Sequence, residues 1–421
     1  MFLKEISLTN FKCHDQLFLS FENQAEKFAV RKTSFLLGEN GTGKSALLKA
    51  IALITAGSNA LGDMLGNADE WIKQGKDFCE ISATLITAKG EERKVGIKVN
   101  RNESLNKFIL DNSESLDLID RAISHADRNY FVVAYGASRI LNYGSKFSRH
   151  GSEFSSPRAQ NIQSLFSPNA TLVSVTDWAI DLDYSGKNDG LKTVKKALDA
   201  FLVDNVKFNN IDKIGKQLIF TTPDGEMPLN QLSEGYQNVL AWVGDLMYRI
   251  TETFVDHKDP LKARGLLLID EIDLHLHPKW QRHLHAFLTT KLPNFQIIAT
   301  THSPITAQQA DEDELYALRR TGRKVELIPF HGAPNKMLLH QILMSPVFGL
   351  ETDESLEVET AKTKIRELTL KGRKSEADEK LIARYSHQLE DLPTNIRSNS
   401  LLDESDLELL TSIRRELKAK K

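Results

Sequence analysis

The chain has 421 residues, of which 41% are hydrophobic and 26% charged, and its formal net charge is −3. Such a balance suits a soluble globular protein of two or three domains and excludes a histone-like polycation, while leaving room for a local basic patch. The two cysteines, Cys13 and Cys79, cannot make a disulfide framework and lack metal-ligand spacing, and no apolar stretch reaches membrane-spanning length. A reducing, cytoplasmic setting with no membrane partner is therefore expected.

In chain order, "FLKEISLTNF", "DQLFLSF" and "FAVRKTSFLLG" alternate apolar and polar residues and read as three short strands. The third runs into a glycine-rich loop, and "KSALLKAIALITAG" follows as a helix ending at Gly57. "FCEISATLI" and "KVGIKVNR" read as a hairpin, and "NYFVVAYGASRI" as a buried strand leading to a loop with Tyr135, Gly136 and Arg139. "KFSRHGSEFSSPRAQN" has no period and reads as a mobile loop. Residues 171–205 look helical, and "KQLIFTTPDGEMPLNQ" looks like a hairpin feeding a polar turn. "GLLLIDEIDLHLHP" and "NFQIIATTHSP" are buried strands flanking the amphipathic helix "KWQRHLHAFLTTKLP". "ELYALRR" and "KVELIPF" read as edge strands, and beyond about residue 335 the chain turns charged and helical.

Four of these stretches carry chemistry. "GENGTGKS", Gly38 to Ser45, fits G-x-x-x-x-G-K-S between a strand and a helix. Its glycines, Gly38, Gly41 and Gly43, with Asn40 between them, let backbone N–H groups curl round phosphates at a helix N-terminus. Lys44 would reach the β- and γ-phosphates, and Ser45 would ligate Mg²⁺. In "LLLIDEID" the strand ends at Asp270, placed for contact with Mg²⁺, and Glu271 beside it could polarise a water. His302 follows the strand "IIAT" and could touch a γ-phosphate. In "LSEGYQ", Ser233 and Gly235 head a helix, which makes either an anion site or an ordinary N-cap.

The order "LTNFKCH", "GENGTGKS", "LSEGYQ", "LLLIDEIDLHLHP", "TTHSP" resembles the ATP-binding-cassette ATPases, in the branch that holds the structural-maintenance-of-chromosomes, Rad50 and RecF-like proteins. The resemblance implies an α/β fold: an ABC-type P-loop head with N-terminal antiparallel strands, a helical signature-bearing subdomain and a C-terminal helical extension. The head would span residues 1–334, with the helical part at about 58–235, and the charged extension would span 335–421. It also implies ATP and Mg²⁺ as ligands, with Asp270 as the Walker B acid, Glu271 as the catalytic base and His302 as the switch histidine. Asp273 to Pro278 would form the D-loop, and Tyr135 or Arg139 would stand near the usual Q-loop. Ser233 and Gly235 would act in trans on nucleotide held at a partner's Lys44, in a homodimer or a higher even-numbered oligomer. The signature departs from the usual pattern: Glu234 replaces a glycine, and Tyr236 precedes Gln237.

"LIDEIDLHLHPKWQRHL" and "LSEGYQNVLAWVGDLMYRI" resemble more narrowly the ATPases of Septu and retron-associated anti-phage systems, which implies an HNH-type nuclease partner under ATP control. A RecF-like DNA-repair ATPase that binds or bridges DNA is the alternative. A transporter subunit is disfavoured because its D-loop would read Ser-Ala-Leu-Asp. Toprim needs a Glu after one apolar strand and an Asp-x-Asp after another, and beyond His302 no Asp-x-Asp stands in that context, so the chain itself is not expected to be a nuclease. Lys94, Lys98 and Arg101 read as a solvated edge strand before a DNA-facing one. His275, His277, His283 and His285 lack the companions of a metal site.

Overall fold

The computed structural model describes residues 2–23, 30–87, 90–124, 131–141, 154–184, 188–202, 206–254, 260–350, 352–371 and 375–390. The chain divides into two units, residues 1–350 and 351–421. The first begins with a hairpin, β1 (Phe2–Phe11) and β2 (His14–Ser20), followed by β3 (Thr33–Gly38), α1 (Lys44–Thr55) and α2 (Ser58–Leu65). A second hairpin, β4 (Phe78–Ile86) and β5 (Glu92–Asn100), pairs with β1. The result is a wholly antiparallel sheet in the order β2-β1-β4-β5.

Next come α3 (Leu105–Asp111), α4 (Ser113–Ser124), β6 (Phe131–Tyr135) and the short β7 (Ile140–Leu141). The first half of the stretch expected to be a mobile loop, residues 146–153, lies outside the described residues. Its end is ordered: the Asp63 carboxylate accepts the Ser155 and Ser156 amides at 2.9 Å, and Pro157 begins the short helix α5 (Pro157–Gln160). The helical region holds α6 (Gln163–Phe166), β8 (Thr171–Leu172), α7 (Val175–Tyr184) and α8 (Asn188–Phe201). A meander, β9 (Lys207–Asp212), β10 (Gln217–Thr222) and β11 (Gly225–Pro228), then leads into the long helix α9 (Glu234–Thr253).

The rest of the unit alternates strand and helix: β12 (Gly265–Ile269), α10 (Pro278–Lys291), β13 (Phe295–Thr300), α11 (Pro304–Gln308), β14 (Leu315–Thr321), β15 (Lys324–Pro329) and α12 (Leu339–Leu343). The main sheet runs β15-β14-β3-β13-β12-β6, parallel except at β15. This corrects one expectation. β14 is not an edge strand, because it pairs with β3 on its inner side and buries Leu315 to Leu318, so only β15 lies at that border. Residues 335–350 belong with this unit: the Gln308 amide donates to Met337 O at 2.7 Å, and Ile342 is buried.

Successive residues of the main strands point to opposite faces. Leu266, Leu268, Ile298, Val132 and Ala134 face the antiparallel sheet, with α1 packed between. Leu267, Ile269, Ile297, Val133 and Tyr135 face α8, α9 and α10. α1 is buried on nearly all sides, as a helix between two sheets must be. A buried side chain ties the two sheets together. The Gln296 amide accepts from Leu3 N–H and donates to Leu3 O, both at 2.8 Å, standing in for a missing ladder partner.

In the second unit, α13 (Leu356–Thr369) and α14 (Glu376–Glu390) pack on one another. Ser355 and Ser375 accept backbone N–H bonds at their starts. No helix among the described residues is long and apolar enough to cross a membrane.

Inside α9, Asp245 is fully buried and makes three bonds: it accepts from Tyr135 Oη at 2.9 Å, Val173 N at 2.9 Å and Arg249 Nε at 2.6 Å. Asp245→Ala would strand the buried Arg249 cation. A loss of about 3–5 kcal/mol in unfolding free energy is expected, read from urea melts.

Candidate functional site

The carboxyl ends of β3, β13, β12 and β6 come out level. Leu36 stands beside Thr300, and Ile269 lies beside Ala299 and Tyr135. Loops bearing polar residues therefore meet at one rim of the sheet, where open α/β sheets bind ligands.

From β3 the chain enters the loop Gly38–Gly43. Gly38 has φ +148°, and a Cβ there would lie 2.4 Å from Leu318 O. Gly43 has φ +89°, and its Cβ would meet Cys13 Sγ at 2.4 Å and His14 Nε2 at 2.5 Å. The β1–β2 turn is thus a floor pressed under the loop, and only glycine fits there. Asn40 and Gly41 are exposed, and Ser45 is half-buried in the first turn of α1. Lys44 is buried, and its ammonium donates to Gly38 O at 2.7 Å and Glu39 O at 3.0 Å. Burial lowers its pKa, against the opposing pull of the Asp270 and Glu271 charges. Arg320, from the β14–β15 hairpin, donates to Gly41 O at 2.6 Å.

Asp270 follows β12 and is buried; Glu271 is half-buried. Thr300, at the end of β13, joins them. Its hydroxyl donates to Asp270 Oδ1 at 2.6 Å and accepts the Glu271 N–H at 2.7 Å. The Glu271 backbone sits at φ +48°, a left-handed conformation unusual for a residue with a side chain. On the other side, Arg139 holds the carbonyls of Asp270 and Glu271, at 2.5 and 2.7 Å. His302 is exposed two residues beyond Thr300. Asp273, in the stretch expected to be the D-loop, is half-buried, and burial pushes its pKa up although Thr301 opposes this.

Ser233 takes the N-cap position of α9, but its side chain caps nothing, and it is exposed along with Glu234. Ordinary capping therefore does not account for it. Gly235 lies against the expected D-loop, since a Cβ there would be 3.3 Å from His275 O. Tyr236 packs edge-on against Trp280, with ring centroids 5.3 Å apart. Gln237 turns inward to donate to Leu232 O at 2.6 Å.

The structure thus brings Gly38–Ser45, Asp270, Glu271 and His302 to one rim, with the turn at Ser233 facing out of the same chain. Of the two Q-loop candidates, Arg139 reaches the site and Tyr135 does not: its hydroxyl is spent on Asp245 in the core. Motif reading missed Thr300, whose role depends on a neighbouring strand, and Arg320. Lys94 and Lys98 are exposed on the edge strand β5, and the Lys98 ammonium lies over the Phe78 ring at 4.4 Å. Among the histidines singled out, His285 is the one that joins a ligand-like group among the described residues, with Asp311 and Glu314. Its Nε2 lies 3.0 Å from Glu314 Oε2, an ion pair when the imidazole is protonated.

Residues 34–307 match the family model described as "AAA domain, putative AbiEii toxin, Type IV TA system". The chain belongs to this AAA family. It is 29% identical over 323 residues to Septu protein PtuA of Bacillus mycoides, an alignment covering 75% of this chain and 40% of that protein. It is 28% identical to Septu protein PtuA of Bacillus thuringiensis, covering 68% and 69%. A third relative, "Retron Ec83 probable ATPase" of Escherichia coli, is 35% identical over 32% of this chain and 25% of its own length. The chain therefore spans well under half the length of the Bacillus mycoides and retron proteins. The resemblance to Septu and retron ATPases is borne out by these relatives. Among solved structures, the SMC head domain from Thermotoga maritima overlaps 79% of this chain and 100% of its own at 14% identity and TM-score 0.43, too distant to carry an argument.

The His285 pair makes stability pH-dependent. Burial disfavours the imidazolium, but the Glu314 carboxylate outweighs it and the pKa stands above the ordinary value. A raised folded pKa stabilises below the unfolded value, about 6.5, and the gain is lost as pH rises through the folded one. The urea midpoint of wild type should therefore exceed that of His285→Gln most near pH 6, and the gap should shrink steadily on raising the pH.

Proposed function

We propose that this chain binds ATP with Mg²⁺, hydrolyses it, and serves as the nucleotide-switched ATPase of an anti-phage defence complex. What carries the reading is the convergence of Lys44, Asp270 and Glu271 on one rim, with Thr300 fixing the two carboxylates. Oxygen donors at Ser45 and Asp270 suit a hard divalent cation, and Thr300 occupies one Asp270 oxygen while leaving the other available. Bound there, Mg²⁺ would neutralise charge developing between the β- and γ-phosphates.

The chain's own residues do the rest. Backbone N–H groups of Gly41 to Ser45 and the N-terminus of α1 cradle the phosphates, and Lys44 exchanges its loop carbonyls for phosphate oxygens. Glu271 accepts the proton of the attacking water, and His302 contacts the γ-phosphate. Ser233, exposed and capping nothing, and the half-buried Gly235 beside it complete the pocket of a second copy, so that ATP bridges a two-fold dimer and hydrolysis releases it. The Septu and retron relatives support the defence setting over a DNA-repair one. The unit 351–421 is the docking extension in this scheme, and an HNH-type nuclease is the effector held under ATP control.

Glu271→Gln should retain ATP binding, lose about 10²- to 10⁴-fold in turnover, and accumulate as an ATP-bound dimer by light scattering. Normal turnover would refute the catalytic assignment. Lys44→Ala should lose nucleotide binding. Mixing Ser233→Arg with Lys44→Ala chains in equal amounts should restore about a quarter of the wild-type sites, since half the random dimers are mixed and each holds one intact composite site. No recovery would mean that the sites are contained within single chains.

A further inference from the structure

Arg139 has no part in the phosphate chemistry above, yet it is 8% exposed and sits behind the catalytic carboxylates. Its guanidinium gathers three segments. Nη2 donates to Asp270 O at 2.5 Å and Glu271 O at 2.7 Å; Nη1 donates to Asn238 Oδ1 on α9 at 3.2 Å; Nε donates to Gly136 O at 3.3 Å. A buried cation held by carbonyls and an amide is costly without a directly paired carboxylate. Burial lowers its pKa to about 10, while Asp270, Asp273 and Glu271 hold it up. Arginine's planar fork spans several acceptors at fixed angles, which lysine cannot do.

Two further observations show what the fork holds. Glu271 has φ +48°, so its backbone needs support from both sides: Thr300 takes its N–H and Arg139 its carbonyl. The segment bearing Arg139 is also fastened to α9 twice, through Asn238 and through the Tyr135–Asp245 bond two turns further on. Asn238 is five residues from Ser233, at the head of the same helix.

We infer that Arg139 is a positioning residue that locks the Glu271 backbone in its reactive conformation and ties it to α9. Engagement of Ser233 by a partner's nucleotide is thereby felt at the general base. The inference rests on the proposed ATPase dimer, and its failure is separable from the failure of that reading.

The test uses the full chain with ATP and Mg²⁺. Asn238→Ala, a half-buried surface change, should lower kcat about tenfold while ATP affinity and KM stay within about twofold, the mark of a group acting in the transition state. Arg139→Met should lower kcat further with the same unchanged affinity, measured with a fluorescent ATP analogue, and Arg139→Lys should recover part of it. The double variant Arg139→Met, Asn238→Ala should match Arg139→Met alone, because the two act as one unit. Wild-type kcat in Asn238→Ala, or additive losses in the double variant, would overturn the link to α9. Equal losses in kcat and nucleotide affinity, with no recovery by lysine, would overturn the positioning role. An Arg139→Met chain that fails to fold leaves Asn238→Ala and Arg139→Lys to decide. Full turnover in Glu271→Gln would instead sink the assignment of the base, and a wild-type chain that neither binds nor hydrolyses ATP would sink the ATPase reading beneath it.

Discussion

Parallel pairing with matched register is the constraint on which this molecule depends. β3, β13, β12 and β6 end level, because each strand buries alternate residues on two different cores and cannot slip by one position without exchanging them. Once the register is fixed, four loops must open at the same rim. One carries glycines and a lysine, one carries two carboxylates, one carries Thr300 and His302, and one carries Arg139. None of these loops makes a site by itself. The sheet supplies the coincidence, and Thr300 converts it into defined geometry by bonding the acid beside it and the amide after that acid.

Much of this was legible in the residues, and the rest fails for identifiable reasons. The loop Gly38–Ser45 is readable because tight backbone curvature demands glycine, and Gly43 meets that demand against Cys13 and His14. The strands "LLLI" and "IIAT" are readable because burial on both faces leaves an unbroken apolar run. β14 was misread because Arg319 and Arg320 end it with charge, although Leu315 to Leu318 are interior. β9 passed unnoticed since Asn209 and Asn210 dilute its apolar pattern. Tyr135 and Arg139 looked equally placed near the site. Strand alternation separates them, sending the tyrosine ring into the core with α9 and leaving the arginine on the loop beyond. Thr300 could not be recognised from its own neighbourhood, because its partners lie on a different strand about thirty positions away.

Helix α9 illustrates how rigidity and readiness are divided along one element. Its middle is pinned by Asp245 and Arg249, a buried network that replaces slack apolar packing with directional bonds. Its tip is open: the Ser233 side chain caps none of the helix N–H groups and faces solvent. A stiff rod with an open tip suits a part that must meet another body and pass on what it meets.

The Gln296 clasp on Leu3 has a consequence for how the chain matures. The floor beneath the glycine loop belongs to the β1–β2 hairpin, while the amide that fastens its leading strand is synthesised nearly three hundred residues later. Contacts between such remote parts of a chain form slowly. Competence to grip a phosphate group is therefore a late acquisition of the nascent polypeptide, and a ribosome stalled before β13 would present every glycine of the loop without the scaffold that shapes it.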